Sequence, residues 1–321
     1  MAVYTKITKA EIERHLLNYK IGALLDFKEI VEGIDNSNFI LQTTQGKFIF
    51  TIFESRINKN ELPFFINFKL HLAQKGVCCP EPILNNQGLS VVDFGNKKAA
   101  IVTFLSGATL KPQDDGCYSN IAPSHCFEVG KTLAKMHLAA ADFEMLRKND
   151  LGISGFEPLF LRFEDRLENY QKNLRSEILE NLEFLKSAQS FDLPSAAAHL
   201  DLFPDNVFFD ENGKVSGVID FYFAANDALI YDFAIVVNSW CFDEKNNFLA
   251  ANFEQLTRGY EEVRKFLESE KDFLKTALVA AAMRFLLTRL HDMFFTPKNS
   301  LVKVKNPQEY LAKLRFFRAK I

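Results

Sequence analysis

Apolar and polar positions follow different rhythms in the two parts of this chain. Near the start, Thr8 followed three residues later by Glu11 predicts a helix that opens on a capping box. From Phe27 to Phe53 the pattern becomes strand-like. Phe39 to Thr43 and Phe48 to Phe53 are apolar and β-branched runs, and Gln45-Gly46 between them predicts a hairpin turn. Over Leu62 to Gln74 the apolar positions fall three and four apart (Phe65, Phe68, Leu72), which predicts a helix, with Gly76 as its stop. Two further strands are expected at Leu89 to Phe94 and Ala99 to Leu105, split by Gly95-Asn96. The order is strands, helix, strands.

Residues 106–120 (SGATLKPQDDGCYSN) are polar and carry Gly and Pro, so they predict a linker. Helical spacing dominates beyond it. Pro123 and Ser124 open a segment to about Ala141, and Glu157 to Ala188 reads as one long amphipathic helix. Later helices are expected over 228–241, 249–267, 270–295 and 307–318, with strand character returning only around Ala197 to Phe221. The expected division is a nucleotide-binding lobe at 1–105, a linker at 106–120, and a catalytic and substrate-binding lobe at 121–321.

Composition narrows the function classes. The 321 residues carry 38 Lys plus Arg against 41 Asp plus Glu, a net charge of −3, so the basic footprint of a nucleic-acid binder is missing. The most apolar runs, Phe233 to Phe242 and Ala277 to Leu287, are too short and too interrupted to span a membrane, and the N-terminus shows no secretory signal. Five Cys with no Cys-x-x-Cys and no zinc spacing read as reduced thiols of a cytoplasmic protein. The 33 Phe against one Trp read as core-building.

One segment carries chemistry. Residues 195–227 read SAAAHLDLFPDNVFFDENGKVSGVIDFYFAAND. Asn206 precedes the short apolar strand Val207 to Phe209, a Glu-Asn-Gly turn follows, and a second strand, Val215 to Ile219, ends on Asp220. A hairpin would bring both carbonyl-bearing side chains to one end of the ribbon. Phosphoryl transfer asks for such a kit: one carboxylate to take the proton of an acceptor hydroxyl, and oxygen donors for Mg²⁺. Asp201 suits the first role, Asn206 and Asp220 the second.

His-x-Asp-x-x-x-x-Asn followed by Ile-Asp-Phe resembles the catalytic and metal loops of the aminoglycoside phosphotransferase and choline kinase superfamily. Longer strings narrow the resemblance: EGIDNSNF (Glu32 to Phe39), FTIFE (Phe50 to Glu54), ELPFF (Glu61 to Phe65), HLDLFPDNVFF (His199 to Phe209), IDFYFAANDALIYD (Ile219 to Asp232) and RFLLTRLHD (Arg284 to Asp292). Together these are similar to the bacterial homoserine kinases of the aminoglycoside-phosphotransferase type, over essentially the whole chain. The resemblance implies an α+β, bilobal, protein-kinase-like fold with a small β-rich N-lobe and a larger helical C-lobe. It implies ATP and Mg²⁺ as cofactors and phosphorylation of L-homoserine to O-phospho-L-homoserine, on the route to threonine. His199 and Asp232 match positions that brace the catalytic loop.

Other positions are expected from placement. Asn36, Ser37 and Asn38 offer donors to phosphates, although EGIDNSNF holds only Gly33 and is no Gly-x-Gly-x-x-Gly. The strand that carries a phosphate-binding Lys in protein kinases here carries Thr51. Either Lys47, Arg56 or Lys59 supplies that charge, or the site manages with hydrogen-bond donors and Mg²⁺, and Glu61 is not assigned as a lysine's partner. Backbone around Thr103, Phe104 and Leu105 would meet the adenine edge. For the acceptor, Tyr222, Asn226, Asp227, Arg284 and Arg289 are candidates, with Arg289 and Asp292 also able to pair at i, i+3. Two alternatives stay open: another small hydroxylated acceptor (choline, ethanolamine, methylthioribose or an aminoglycoside), or a pseudokinase that only binds.

Overall fold

The computed structural model describes residues 5–30, 36–54, 58–112, 118, 120–188, 192–297 and 304–320. Gly33 and Arg56 fall outside them. The chain divides into two compact units. The first is Met1–Gly107 together with Ser216–Tyr222, and the second is Ala108–Val215 together with Phe223–Ile321.

The first unit is built on one antiparallel sheet. Strands β1 (Leu24–Ile30), β2 (Asn36–Thr43), β3 (Gly46–Phe53), β4 (Val92–Phe94) and β5 (Lys97–Thr103) stand in the order β1–β2–β3–β5–β4. The expected hairpin is present, with Thr43 opposite Gly46 and Gly46 at φ 137°, a value only glycine adopts easily. Helix α1 (Lys9–Leu16) opens on the predicted capping box: Thr8 Oγ1 accepts from the Glu11 amide, and Glu11 Oε2 accepts from the Thr8 amide at 2.7 Å. Helix α2 (Leu62–Gln74) has the predicted bounds. Phe39, Leu41, Phe50, Ile52 and Ile101 join Ile12 and Leu16 of α1 in a closed core. The period-2 alternation of β2 thus serves packing directly.

The second unit is mostly helical: α3 (Pro123–Ala139), α4 (Ile153–Phe160), α5 (Leu167–Tyr170), α6 (Leu174–Ser187), α7 (Leu229–Trp240), α8 (Ala250–Val263), α9 (Glu268–Phe295) and α10 (Gln308–Lys320). The single long helix expected over 157–188 is broken. Asn173 takes a left-handed conformation, φ 66°, and separates α5 from α6, while a 3-10 turn at Glu164–Arg166 separates α5 from α4. An Asn tolerates that conformation because its short side chain bonds locally. Helix α7 is buried at every position, which its nearly unbroken apolar sequence requires. It packs on α9, which also meets α4, α6 and α10.

Short strands complete the second unit. β6 (Ala108–Thr109), within the segment expected to be linker, pairs with β8 (Val207–Phe209), Ala108 lying opposite Phe209. β7 (Ser195–Ala198) pairs with β10 (Ala225–Ala228), a strand the periodicity did not predict. β9 (Val215–Val218) starts at the last residue of one second-unit segment and runs into the stretch that packs with the first unit. None of the described helices is long and apolar enough to cross a membrane.

Helices α3 and α8 touch backbone to backbone. A Cβ on Gly130 would stand 2.2 Å from the Leu256 carbonyl oxygen, and one on Gly259 would stand 2.0 Å from that of Phe127. Only glycine at both positions permits this approach.

Candidate active site

The segment His199–Asn206 is a loop between β7 and β8, closed by a 3-10 turn at Pro204–Asn206. Its geometry is strained at one residue: Leu200, between His199 and Asp201, has φ 60°. Such a conformation in a residue other than Gly costs on the order of 1–3 kcal/mol and persists only where its surroundings over-determine it.

Those surroundings are explicit. Asp232, in the first turn of α7 and fully buried, accepts from the His199 amide at 3.0 Å and the Leu200 amide at 2.8 Å. His137 Nε2 stands 3.0 Å from the same carboxylate. Burial pushes the Asp232 carboxyl upward, but the hydrogen bonds from His137 and the Leu200 amide, with the nearby His199 ring, outweigh it, and the net shift is below the ordinary carboxylate range. The Leu200 carbonyl accepts from Arg284 Nη1 at 2.5 Å. Strained backbone is therefore clamped at its amides by α7 and at its carbonyl by α9.

Asp201 follows the strained residue. Its amide donates to His199 Nδ1 at 3.2 Å, and its carbonyl accepts from Asn206 Nδ2 at 2.8 Å. That second bond fixes the Asn206 amide with its nitrogen turned into the loop. The Asp201 carboxyl is pushed up to about 6. Burial is the main cause, opposed by Arg284 and Lys305 and reinforced by Asp205 and Asp232. A carboxylate whose affinity for protons is raised toward neutrality is suited to take one.

Asp220 also has left-handed backbone, φ 65°. It belongs to the segment Ser216–Tyr222 and is placed within the first unit. There Phe221 packs edge-on to Phe68, and Tyr222 edge-on to Phe53 and Phe65. Tyr222, expected at the acceptor, thus sits in an aromatic cluster of the first unit. Lys69 of α2 completes this cluster, with Nζ 5.7 Å from the Tyr222 ring centroid. Lys69 is only 6% exposed. Burial pulls its ammonium down to about 8, against the charges of Cys79 and Asp220. No motif marks this residue in the sequence. Its signal was a Lys on the apolar stripe of Phe65, Phe68 and Leu72.

Other expected residues are placed as follows. Asn36 and Ser37 are buried in β2 and serve Glu54: the Asn36 side-chain oxygen accepts from the Glu54 amide, and the Ser37 hydroxyl donates to its carboxylate at 2.6 Å. Lys97 pairs with the same carboxylate. Asn38 accepts from the Thr51 hydroxyl at 2.8 Å. Lys47 is exposed and lies 5.6 Å over the Phe104 ring, and Lys59 donates to the Asn96 carbonyl. The Thr103 amide is bonded to the Glu81 carbonyl, while Phe104 and Leu105 lie beyond the end of β5.

Around Asp201, the second unit supplies the charges of Arg284, Lys305, Asp205 and Asp232. Arg284 is 1% exposed, with its guanidinium 4.9 Å over Phe285 and 5.5 Å over Phe223. Asp227 accepts from Asn149 Nδ2 at 2.5 Å, and burial pushes its carboxyl up. The Asn226 side-chain oxygen accepts from the Arg147 amide at 2.8 Å. Arg289 does not pair with Asp292. It bonds Glu309 at 2.6 Å and the Asn306 carbonyl at 2.8 Å, because α10 packs on that side of α9. Lys305 is exposed and lies 5.4 Å over the Phe203 ring. No motif marks it; the fold brings it to the loop.

The family model of the phosphotransferase enzymes matches residues 26–266. The chain is 43% identical over 319 residues to a homoserine kinase of Parvibaculum lavamentivorans, covering 99% of this chain and 96% of that protein. Among solved structures, an amicoumacin kinase in complex with AMP-PNP and Ca²⁺ superposes with a TM-score of 0.67 at 14% identity, over 98% of this chain and 92% of that one. A spectinomycin phosphotransferase in complex with ADP and spectinomycin gives 0.66 at 13% identity, over 98% and 94%. The likeness to these two is one of fold.

Proposed function

The chain belongs to the phosphotransferase enzyme family, and we propose that it transfers the γ-phosphoryl group of ATP to the hydroxyl of L-homoserine, giving O-phospho-L-homoserine and ADP. The observation that carries the acceptor is the full-length identity with curated homoserine kinases. The observation that supports the chemistry is the clamped loop that presents Asp201. The reaction is a step in threonine biosynthesis, and we place the enzyme in the cytoplasm.

Asp201 orients the homoserine hydroxyl and takes its proton. The hydroxyl oxygen then forms a bond to the γ-phosphorus, the bond from that phosphorus to the β–γ bridging oxygen breaks, and ADP leaves with the electron pair. Asn206 and Asp220 would hold Mg²⁺, and their oxygen donors fit a hard cation. A cation held by these two residues would supply neutralisation of the phosphate charge. His199 and Asp232 hold the loop, and Arg284 braces its strained residue.

With Arg289 committed to Glu309 and Arg284 to the loop, Lys305 is, among the described residues, the cation near Asp201 that would meet the homoserine carboxylate. Lys69, beside Asp220, takes the part of the missing strand lysine more readily than the exposed Lys47. A coupled ADP-release assay over homoserine, choline, ethanolamine, methylthioribose and an aminoglycoside tests the reading. Homoserine should give the highest kcat/KM. Preference for another acceptor would change the substrate, and no turnover with any would leave a binding module.

A further inference from the structure

A line of buried polar groups runs away from the Asp201 loop, through the second unit, to the junction of α8 and α9. Asp232 meets His137 Nε2 at 3.0 Å, and His137 Nδ1 meets the Tyr260 hydroxyl at 2.8 Å. Tyr260 OH accepts from Arg264 Nη1 at 3.0 Å, and Arg264 Nη1 stands 3.0 Å from Glu270 Oε1. Asp232, His137, Tyr260 and Glu270 are all at most 2% exposed. The line joins four helices: α3, α7, α8 and the first turn of α9.

For a neutral His137, whose Nε2 faces the Asp232 carboxylate, donor and acceptor roles along it are fixed. Arginine only donates, so the Tyr260 oxygen accepts from Arg264 and its own O–H is left to donate. The acceptor it faces is His137 Nδ1. The ring proton then sits on Nε2 and is given to Asp232, a carboxylate that also receives two loop amides. Each bond fixes the direction of the next, and reversing any one would set two donors or two acceptors face to face.

The ends and the middle are held rigidly. Tyr260 stacks on Phe266 with centroids 4.5 Å apart and planes 4° apart, and Phe233 meets it edge-on at 5.2 Å. Glu270 Oε2 accepts from the Leu267 amide at 2.9 Å, capping α9, which is the helix that carries Arg284. The glycine contact of α3 with α8 involves the Tyr260 amide itself, 2.8 Å from a Cβ placed on Gly130.

We propose that Arg264, Tyr260 and His137 are positioning residues for phosphoryl transfer: their directed chain of hydrogen bonds fixes the His137 tautomer, and through Asp232 the conformation of the strained backbone at Leu200 that aims Asp201. The proposal rests on the assignment of Asp201 as the proton acceptor, and it reaches beyond that assignment to residues that touch no substrate.

The test uses Tyr260→Phe, which keeps the ring stack and removes only the hydroxyl, alongside His137→Leu and His137→Gln. A Gln amide can still donate to Asp232 and accept from Tyr260. Tyr260→Phe is expected to lower kcat about tenfold, leave both KM values within about twofold, speed amide exchange at His199 and Leu200, and change the ¹⁵N tautomer signature of His137. His137→Leu is expected to lower kcat further, and His137→Gln to recover most of the loss. Unchanged exchange at His199 and Leu200 with an unchanged His137 signature in Tyr260→Phe would overturn the proposal. So would equal kcat for the Gln and Leu variants. If the wild-type protein fails to phosphorylate homoserine, the exchange and ¹⁵N measurements still decide whether the chain governs the loop.

Discussion

The loop around Asp201 and the sheet around Asn36 to Asn38 both draw polar residues into buried positions, yet they use them differently. In the loop, Asp232, Arg284 and Asn206 spend their bonds holding backbone in a conformation it would not choose, with Leu200 at φ 60°. In the sheet, Thr5, Ser37 and Lys97 converge on one carboxylate, Glu54, whose own amide donates to the Asn36 side chain, within regular strand geometry. Burial pushes the Glu54 carboxyl up, and the bonds from Lys97, Ser37 and Thr5 outweigh it. One region stores strain to aim a side chain; the other neutralises a charge to close a core. Polar residues beside a motif are therefore read by what their bonds constrain, not by their closeness to it.

Removing the aimed group separates the two regions most sharply. Asp201→Asn is expected to lower kcat by about 10²–10⁴ with little change in nucleotide affinity, checked by steady-state kinetics and calorimetric ATP titration. The same variant should melt higher at pH 8. The folded-state pKa of about 6 lies above the ordinary 3.8, so the ionised carboxylate destabilises the fold. That cost is complete above pH 6 and vanishes below pH 3.8, so the gain in Tm should shrink as pH falls between them. Near-normal turnover would remove Asp201 as the proton acceptor.

Asp232→Ala strips the clamp. It leaves two loop amides and His137 without their buried partner, and the expected loss is about 3–5 kcal/mol in urea unfolding, with activity lost alongside. Lys69→Met tests the first unit with the opposite sign. A buried ammonium held at about 8 instead of 10.5 destabilises the fold by up to about 3 kcal/mol below pH 8, a cost that disappears above pH 10.5. The variant should therefore be more stable at pH 7 and show a raised KM for ATP. A stability gain with unchanged KM would make Lys69 a packing residue.

Gly130→Ala should cost about 1–3 kcal/mol, because the new methyl meets a carbonyl oxygen of α8 that cannot yield without moving the helix. Smallest of all, Arg315→Ala breaks an exposed pair with Glu177 at 2.7 Å and should change stability by about 0–1 kcal/mol.

Local rules carry a definite share of this fold. Capping at Thr8, the hairpin at Gly46, the bounds of α2 and the strand–turn–strand order after Asn206 follow from hydrogen bonds and periodicities that span a few residues. The proposal for Asp201, Asn206 and Asp220 rests on the same kind of signal, residue types at fixed short offsets. Tertiary structure alone decided the partners that lie far apart. Arg289 went to Glu309 and not Asp292, Lys305 came to Asp201, Lys69 came to Asp220, and Tyr260 came to His137 across 123 positions. Sequence spacing carries no distance information at such separations. There, the packing of whole helices, set by shape and by glycines such as Gly130 and Gly259, chooses which charge meets which.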